Sequence, residues 1–118
     1  MNERPVPRPT GTRGLQVHGL ALDAASRCLQ LLNGVSAPGD LADQLRRAVT
    51  GMCLNIAEGA GRSGRDRVHH FRIAYGSAQE SRTAIALMQA TGSLGSSDAS
   101  AVLDLLDRVC AMLWRLIG

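Results

Sequence analysis

Hydrophobic residues recur at steps of three and four along four stretches of this chain, with polar residues between them. That spacing places apolar side chains on one face of an α-helix. The second stretch carries the most regular stripe, formed by Leu41, Leu45, Ala48, Met52, Ile56 and Gly59. The fourth is equally clean, formed by Val102, Leu105, Val109, Leu113 and Leu116. No segment alternates as a strand does, so the pattern predicts an all-α protein.

Glycines and capping residues predict where the four helices begin and end. The predicted helices run from Leu15 or Val17 to Leu32, from a cap at Asp40 to residues 59–61, from a cap at Ser63 to about Thr91, and from a cap at Ser96 or Ser97 towards the C-terminus. On helix 1 the predicted inward face is Leu15, Leu22, Ala25, Leu29 and Leu32. Short connections make neighbouring helices antiparallel, so residues 15–118 are predicted to form an up-down-up-down four-helix bundle.

Arginine supplies all thirteen basic residues, against ten acids and a net charge of +3. Residues 1–14 hold prolines at alternate positions together with Arg4, Arg8 and Arg13, which predicts a disordered basic tail. The remaining positive charge gathers near the turn between helices 2 and 3. The net charge alone is too small to establish a polyanionic partner.

A second, polar stripe runs along helix 2 beside its apolar face, and a matching one runs along helix 3. The first consists of Arg47, Gly51, Asn55, Glu58 and Arg62, and the second of His69, Arg72, Gly76 and Glu80. If the chain reverses tightly near Ser63, the two stripes face each other. The predicted pairs are Arg47 with Glu80, Gly51 with Gly76, Asn55 with Arg72, and Glu58 with His69. The alternative is that these are unrelated surface residues.

The motif Asn55-Ile-Ala-Glu-Gly59, followed by Gly76-Ser-x-x-Glu80, resembles the S23-like proteins encoded in intervening sequences of bacterial 23S rRNA genes. The resemblance extends closely from Leu41 to Gly95. It implies a four-helix bundle that assembles into homo-pentameric rings, with no defined activity in most members. A distant relative class serves as an accessory factor to reverse transcriptases and binds both enzyme and nucleic acid. Arg82 stands where the family often has a second acid.

Several motifs suggest chemistry but lack its structural context. Residues 59–64 spell G-x-G-x-x-G, yet a helix precedes them rather than the strand of a dinucleotide-binding unit. The chain has too few Glu-x-x-His pairs for a di-iron site. Three widely spaced cysteines indicate reduced thiols. We therefore expect no enzyme activity, cofactor or metal; an enzyme would have to rely on Glu58, Glu80 and His69.

The leading hypothesis is a non-enzymatic, oligomeric protein that binds RNA or DNA through Arg62, Arg65 and Arg67. The alternative is a protein–protein adaptor, for example for a polymerase, without nucleic-acid contact. Few aromatic residues are present, so we expect no stacking platform for unpaired bases. Trp114 is predicted to close the end of the core or to lie in a subunit interface. With no membrane span or signal segment in the sequence, the expected location is the cytoplasm.

Overall fold

The computed structural model describes residues 12–37 and 39–118, and these described residues form four helices. They are α1 (Thr12–Gly34), α2 (Gly39–Ala60), α3 (Gly64–Ala90) and α4 (Ser96–Ile117). Each helix packs on the next in the chain, most extensively α2 on α3, and α1 also packs on α4. This closes a bundle, and the short connections make adjacent helices antiparallel. The predicted all-α bundle is confirmed, and none of the described helices could cross a membrane.

The interior is filled mainly by alanine, leucine and valine side chains, with Phe71 as its one buried aromatic ring among the described residues. The largest fully buried side chains include Leu45, Met52, Ile56, Phe71, Ile85, Met88, Leu106 and Leu113. Ser81 is the buried polar residue of this region, and its hydroxyl donates to the Ser77 carbonyl oxygen at 2.9 Å. The buried hydroxyl is thus paired, as a packed apolar core requires.

The predicted inward face of α1 is wrong for two of its leucines. Leu22 is 49% exposed and Leu29 is 40% exposed, while Val17, Ala21 and Cys28 are fully buried. The residues that face the core are small, which allows α1 to lie close to its neighbours. Ala25 and Leu32 are buried as predicted, and Leu15 lies outside the residues whose side chains are described.

The helix ends differ from the predictions mainly in their caps. Residues 12–14, assigned to the tail by the sequence, belong to α1, and the rest of the predicted tail lies outside the described residues. Ser63 occupies the N-cap of α3 but makes no side-chain hydrogen bond to the helix. Gly95, rather than a serine, occupies the N-cap of α4.

The C-terminal end of α3 is fixed by backbone geometry that glycine permits. Gly92 has φ +82°, in the left-handed region, and its N–H donates to the Gln89 carbonyl at 3.1 Å. The Ser93 N–H donates to the Met88 carbonyl at 2.8 Å. These two bonds form a Schellman motif, which satisfies carbonyl groups at the helix end. The predicted stop near residues 92–95 is confirmed.

Candidate functional site

Arg62, at the turn between α2 and α3, is held between two carboxylates. Its Nη1 lies 2.7 Å from Asp66 Oδ2, and its Nη2 lies 3.2 Å from Glu58 Oε2. The hydrogen bond from Arg62 lowers the pKa of Asp66 below its ordinary value, and the same bond raises the pKa of Arg62. The charge of Arg62 is therefore largely balanced within the chain.

His70 connects this charged group to the interior of the α2–α3 hairpin. Asn55 donates from Nδ2 to the Gly51 carbonyl at 2.9 Å, which orients its amide. The Asn55 Oδ1 atom then accepts a hydrogen bond from His70 Nδ1 at 3.1 Å. On the other side of the ring, His70 Nε2 lies 3.7 Å from Asp66 Oδ1. A continuous polar chain thus joins Asn55, His70, Asp66 and Arg62 across the two helices.

Arg67 is also engaged within the protein. Its Nη1 donates to the carbonyl oxygens of Gly59 and Ala60, both at 3.3 Å, at the C-terminal end of α2. Its guanidinium carbon lies 4.8 Å from the centre of the Phe71 ring, a cation–π distance. A cation at this position donates to these terminal carbonyls and stabilises the negative end of the helix dipole.

The three arginines that the sequence grouped as a nucleic-acid site differ in their contacts. Arg62 and Arg67 make contacts that stabilise the turn, whereas Arg65 forms no ion pair or hydrogen bond within the described residues. The grouping rested on proximity in sequence, which did not reveal the acids and carbonyls that Arg62 and Arg67 meet.

The facing pairs predicted between α2 and α3 are wrong in their register. A Cβ added to Gly51 would lie 3.2 Å from Ser77 Oγ, while one added to Gly76 would meet nothing within 4 Å. Arg47 and Glu80 are both exposed and form no ion pair. A shift of one residue turns the facing position by about 100° around the helix, which takes Gly76 out of the contact.

The two remaining predicted pairs are replaced by other contacts. Asn55 meets His70 rather than Arg72, and Glu58 binds Arg62 rather than His69. The close approach of the two helices occurs instead at Gly59. A Cβ there would lie 2.7 Å from Phe71 Cδ1 and Cε1 and 3.1 Å from the Arg67 carbonyl oxygen.

An aromatic pair lies where α3 meets α4. The rings of Tyr75 and Trp114 are 5.7 Å apart between centroids and tilted by 46°. Gln79 Nε2 donates to the Tyr75 hydroxyl at 3.0 Å, and Gln79 Oε1 accepts from Arg82 Nη1 at 2.7 Å. Arg82 Nε lies 2.7 Å from Asp107 Oδ1 without the direction of a hydrogen bond, so this last contact is an ion pair. A polar chain thus links Tyr75 on α3 to Asp107 on α4.

Four arginines lie on the outer sides of the same two helices, and we call them the α3–α4 arginine face: Arg65, Arg72, Arg108 and Arg115. Each helix contributes two, seven residues apart, which places them on one side of that helix. Arg72 lies one turn from Tyr75, while Arg115 is turned about 100° from Trp114 and lines a small cavity with Gln16, Met112 and Leu116 beside α1. All four are exposed, and within the described residues none forms an ion pair or hydrogen bond. Asp104 brings an opposing charge to this side of α4, while Asp107 is held by Arg82.

The sequence interpretation missed this face because its two halves are far apart in the chain. Tyr75 and Trp114 belong to different helices, and nothing in the sequence predicts which sides of α3 and α4 meet. A signal was nonetheless present. The seven-residue spacing of Arg65 with Arg72, and of Arg108 with Arg115, is typical of positive charge on one side of each helix.

Besides Trp114 on α4, large apolar side chains are exposed on α1, α2 and α3. They are Leu22 and Leu29 on α1, Leu54 on α2, and Ile73 and Leu87 on α3. Leu87 also lines an open groove of about 440 Å³ between α2 and α3, together with Leu41, Gln44, Gln79, Glu80, Thr83 and Ala84. Exposed apolar surface of this kind is typical of protein contact sites when it is contiguous.

The cysteines offer no reactive centre. Burial raises the pKa of Cys28 to about 12, with a smaller contribution from Cys53 nearby. Burial also raises the pKa of Cys53 and of Cys110. A thiol with a raised pKa is a poor nucleophile and a poor metal ligand at neutral pH. Across the described part of the chain, no three His, Cys, Asp or Glu side chains come together as a metal site.

These features define a small all-α bundle with exposed arginines on α3 and α4 and an aromatic pair where these two helices meet. Residues 13–115 match the family described as 23S rRNA-intervening sequence protein, and the chain belongs to that family. A similar solved structure is a protein of unknown function from the S23 ribosomal protein family of Bacteroides thetaiotaomicron VPI-5482. Its TM-score is 0.80 at 19% identity, covering 89% of this chain and 97% of that one. No curated protein matches this chain.

Proposed function

We propose that this protein is a non-enzymatic nucleic-acid-binding protein that contacts phosphate groups through the α3–α4 arginine face. The observation that supports the proposal is the state of these four guanidinium groups, which are exposed and unpaired among the described residues. Arginine suits phosphate because its planar fork donates two parallel hydrogen bonds. Arg65 belongs both to the site predicted from the sequence and to the proposed site. Arg62 and Arg67 are no longer included, and Arg72, Arg108 and Arg115 are added.

The arrangement of the charges also favours a polyanion over a single small anion. Two arginines on each of two neighbouring helices spread the charge along the bundle, where successive phosphates of one strand can meet them. Arg108 and Arg115 lie two helical turns apart, about 10 Å along the axis of α4 at 1.5 Å per residue. That spacing allows the two arginines to meet different phosphates of one strand.

The surroundings of the residues considered for catalysis support a non-enzymatic role. Glu58, His69 and Glu80 are all exposed, and Glu58 is bound to Arg62 at the turn. A catalytic acid or base is usually placed in a cleft where its surroundings shift its pKa. Glu80 lines the groove between α2 and α3, whereas Glu58 and His69 do not, so the three side chains share no cleft.

The experiment measures binding of labelled RNA and DNA to the full chain by fluorescence anisotropy between about 50 and 300 mM salt. The test variant is Arg72→Gln with Arg115→Gln. Its matched control is Arg27→Gln with Arg46→Gln, which removes two charges from α1 and α2. If each test arginine meets one phosphate, the slope of log affinity against log salt falls by about 1.4 for a single strand.

The control pair is expected to leave the salt slope unchanged, because Arg27 and Arg46 are paired with Asp23 and Asp43 on their own helices. Absence of salt-dependent binding by the unmodified protein at the lowest salt contradicts the proposal. An equal loss in test and control variants contradicts the assigned face, because it indicates a response to net charge alone.

A second candidate function is assembly or protein docking through the exposed apolar residues of α1, α2 and α3. It includes the homo-pentameric ring implied by the family resemblance and an adaptor role beside a polymerase. Light scattering coupled to size exclusion measures the assembly directly. We expect Leu54→Glu with Leu87→Glu to reduce the mass of any oligomer, and an unchanged oligomer contradicts the use of these faces.

A further inference from the structure

Trp114 is the most exposed large hydrophobic residue among those described, with 65% of its surface open to solvent. The neighbouring Leu113 is fully buried, so the core at this end of α4 is closed without the tryptophan. Closing the core, one of the two roles predicted for Trp114, therefore does not account for its position. An indole with an exposed face needs another explanation, because burial of a tryptophan normally contributes much to stability.

The exposed ring is held in place from one side. Tyr75 lies against it at 5.7 Å between ring centroids, and the Tyr75 hydroxyl accepts a hydrogen bond from Gln79. Gln79 is bound in turn by Arg82, which pairs with Asp107 on α4. Fixing a ring before binding reduces the conformational entropy lost when a ligand stacks on it.

Positive charge lies next to the aromatic pair. Arg72 precedes Tyr75 by one helical turn, whereas Arg115 is turned about 100° from Trp114 around α4 and lines a small cavity with Gln16 of α1. Both are exposed, and in the described part of the protein neither has an ionic partner. An exposed aromatic ring with a cation on the neighbouring helix is a combination that binds single strands, since a base stacks on the ring and a phosphate meets the cation.

We propose that Trp114, supported by Tyr75, is a stacking platform for an unpaired nucleobase, so that the protein prefers single-stranded nucleic acid to duplex. The inference rests on the proposed phosphate-binding function and specifies its ligand. It replaces the sequence-based expectation that the chain has no stacking platform. That expectation followed from the low aromatic content, whereas the fold places two of its three Tyr, Trp and Phe rings side by side.

The preference for single strands follows from base availability. In a duplex each base is stacked and paired inside the helix, so its face is not free to meet an exposed side chain. A strand without a partner offers every base face. Any base can stack, so the platform recognises single-strandedness and tolerates many sequences.

The experiment compares labelled single-stranded RNA, single-stranded DNA and the matching duplexes, using the full chain and two variants. Trp114→Ala removes the platform, and Trp114→Phe keeps an aromatic face. We expect Trp114→Ala to weaken single-strand binding by about 5- to 150-fold, the range for loss of one stacked base. Trp114→Phe should recover most of the affinity, and duplex binding should change little.

The intrinsic fluorescence of Trp114 gives an independent readout, because it is the one tryptophan in the chain. Single strands should quench it on binding, and acrylamide should quench it in the free protein. Equal affinities of Trp114→Ala and the parent for both RNA and DNA single strands overturn the inference. A free protein whose tryptophan is shielded from acrylamide also overturns it, since that result places Trp114 in a subunit interface.

These outcomes are distinct from failure of the proposed function. If affinity depends on salt but Trp114→Ala has no effect, phosphate binding by the arginine face is retained and base stacking on Trp114 is rejected. If no salt-dependent binding occurs at all, both proposals are rejected. Parallel measurements with RNA and DNA identify which nucleic acid the protein prefers. Trp114→Ala must reduce the affinity for whichever single strand the parent protein binds more tightly.

Discussion

The contact between Gly59 and Phe71 yields the sharpest test of the packing between α2 and α3. A methyl group at residue 59 would lie 2.7 Å from two Phe71 ring carbons and 3.1 Å from the Arg67 carbonyl oxygen. Phe71 is fully buried, so its ring cannot move aside into solvent. The carbonyl belongs to the backbone of α3, so relief requires a shift of the whole helix.

The expected effect of Gly59→Ala is a net loss of stability. Overpacking of a closed core costs about 1–3 kcal/mol. Alanine has a better helix propensity than glycine, by roughly 0.5–1 kcal/mol in a helix interior, and Gly59 is near the end of α2, where this gain is smaller. The net destabilisation is therefore on the order of 1–2 kcal/mol.

Gly76→Ala is the matched control, because it makes the same chemical change on the facing helix. A Cβ there meets nothing within 4 Å, and the position is exposed within α3. Only the helix-propensity gain remains, so this variant should be more stable than the parent by about 0.5–1 kcal/mol. Gly51→Ala should fall between the two, since its Cβ meets Ser77 Oγ at 3.2 Å and a hydroxyl can rotate away.

Thermal and urea denaturation followed by circular dichroism measure this series. A change of 1 kcal/mol shifts the melting temperature by about 4 °C in a domain of this size. Gly59→Ala and Gly76→Ala should therefore melt on opposite sides of the parent, roughly 10 °C apart. If Gly59→Ala melts as high as Gly76→Ala, the close approach of α2 and α3 at Gly59 is wrong.

Three further predictions concern single groups. Arg62 lowers the pKa of Asp66 in the folded state, so the stability from this pair is present above the unfolded pKa of Asp66 and is lost as pH falls through its folded pKa. Urea denaturation from neutral to acidic pH should show this loss in the parent but not in Asp66→Asn. Equal acid sensitivity of the two proteins would argue against the pair. Cys28, with its pKa raised to about 12 by burial, should resist iodoacetamide at mildly alkaline pH until urea unfolds the protein, as peptide mapping by mass spectrometry can establish; rapid labelling of the native protein contradicts this. Asp107→Ala should lower stability by less than about 1 kcal/mol, because its ion pair with Arg82 is partly exposed, and a larger loss in urea denaturation means that the pair is better shielded than its exposure indicates.

The sequence predicted the fold better than it predicted the faces of the helices. The stripes on α2 and α4 were regular enough to predict both the helices and their buried sides, including Leu45, Ile56 and Leu105. On α1 two faces satisfied the helical spacing, one rich in leucine and one rich in alanine. The predicted inward face included Leu22 and Leu29, whereas close packing of α1 buries the smaller side chains of Ala21 and Ala24.

The candidate site was less accessible to sequence reasoning because it depends on how helices are rotated against each other. Summed residue numbers predicted Gly51 opposite Gly76, but the helices meet with Ser77 at that position. An error of one residue is small along the chain and large around a helix. The pairing of Tyr75 with Trp114 depends on the same rotation between α3 and α4, which no local pattern specifies.

The short link between α2 and α3 has a consequence for how the protein folds. Residues 61–63 alone separate the two helices, and this pair shares the most extensive packing in the bundle. Closing so small a loop costs little chain entropy, so the hairpin is the natural nucleus for rapid folding. Substitutions at its contact, such as Gly59→Ala, should then slow folding, while changes on α1 should mainly accelerate unfolding.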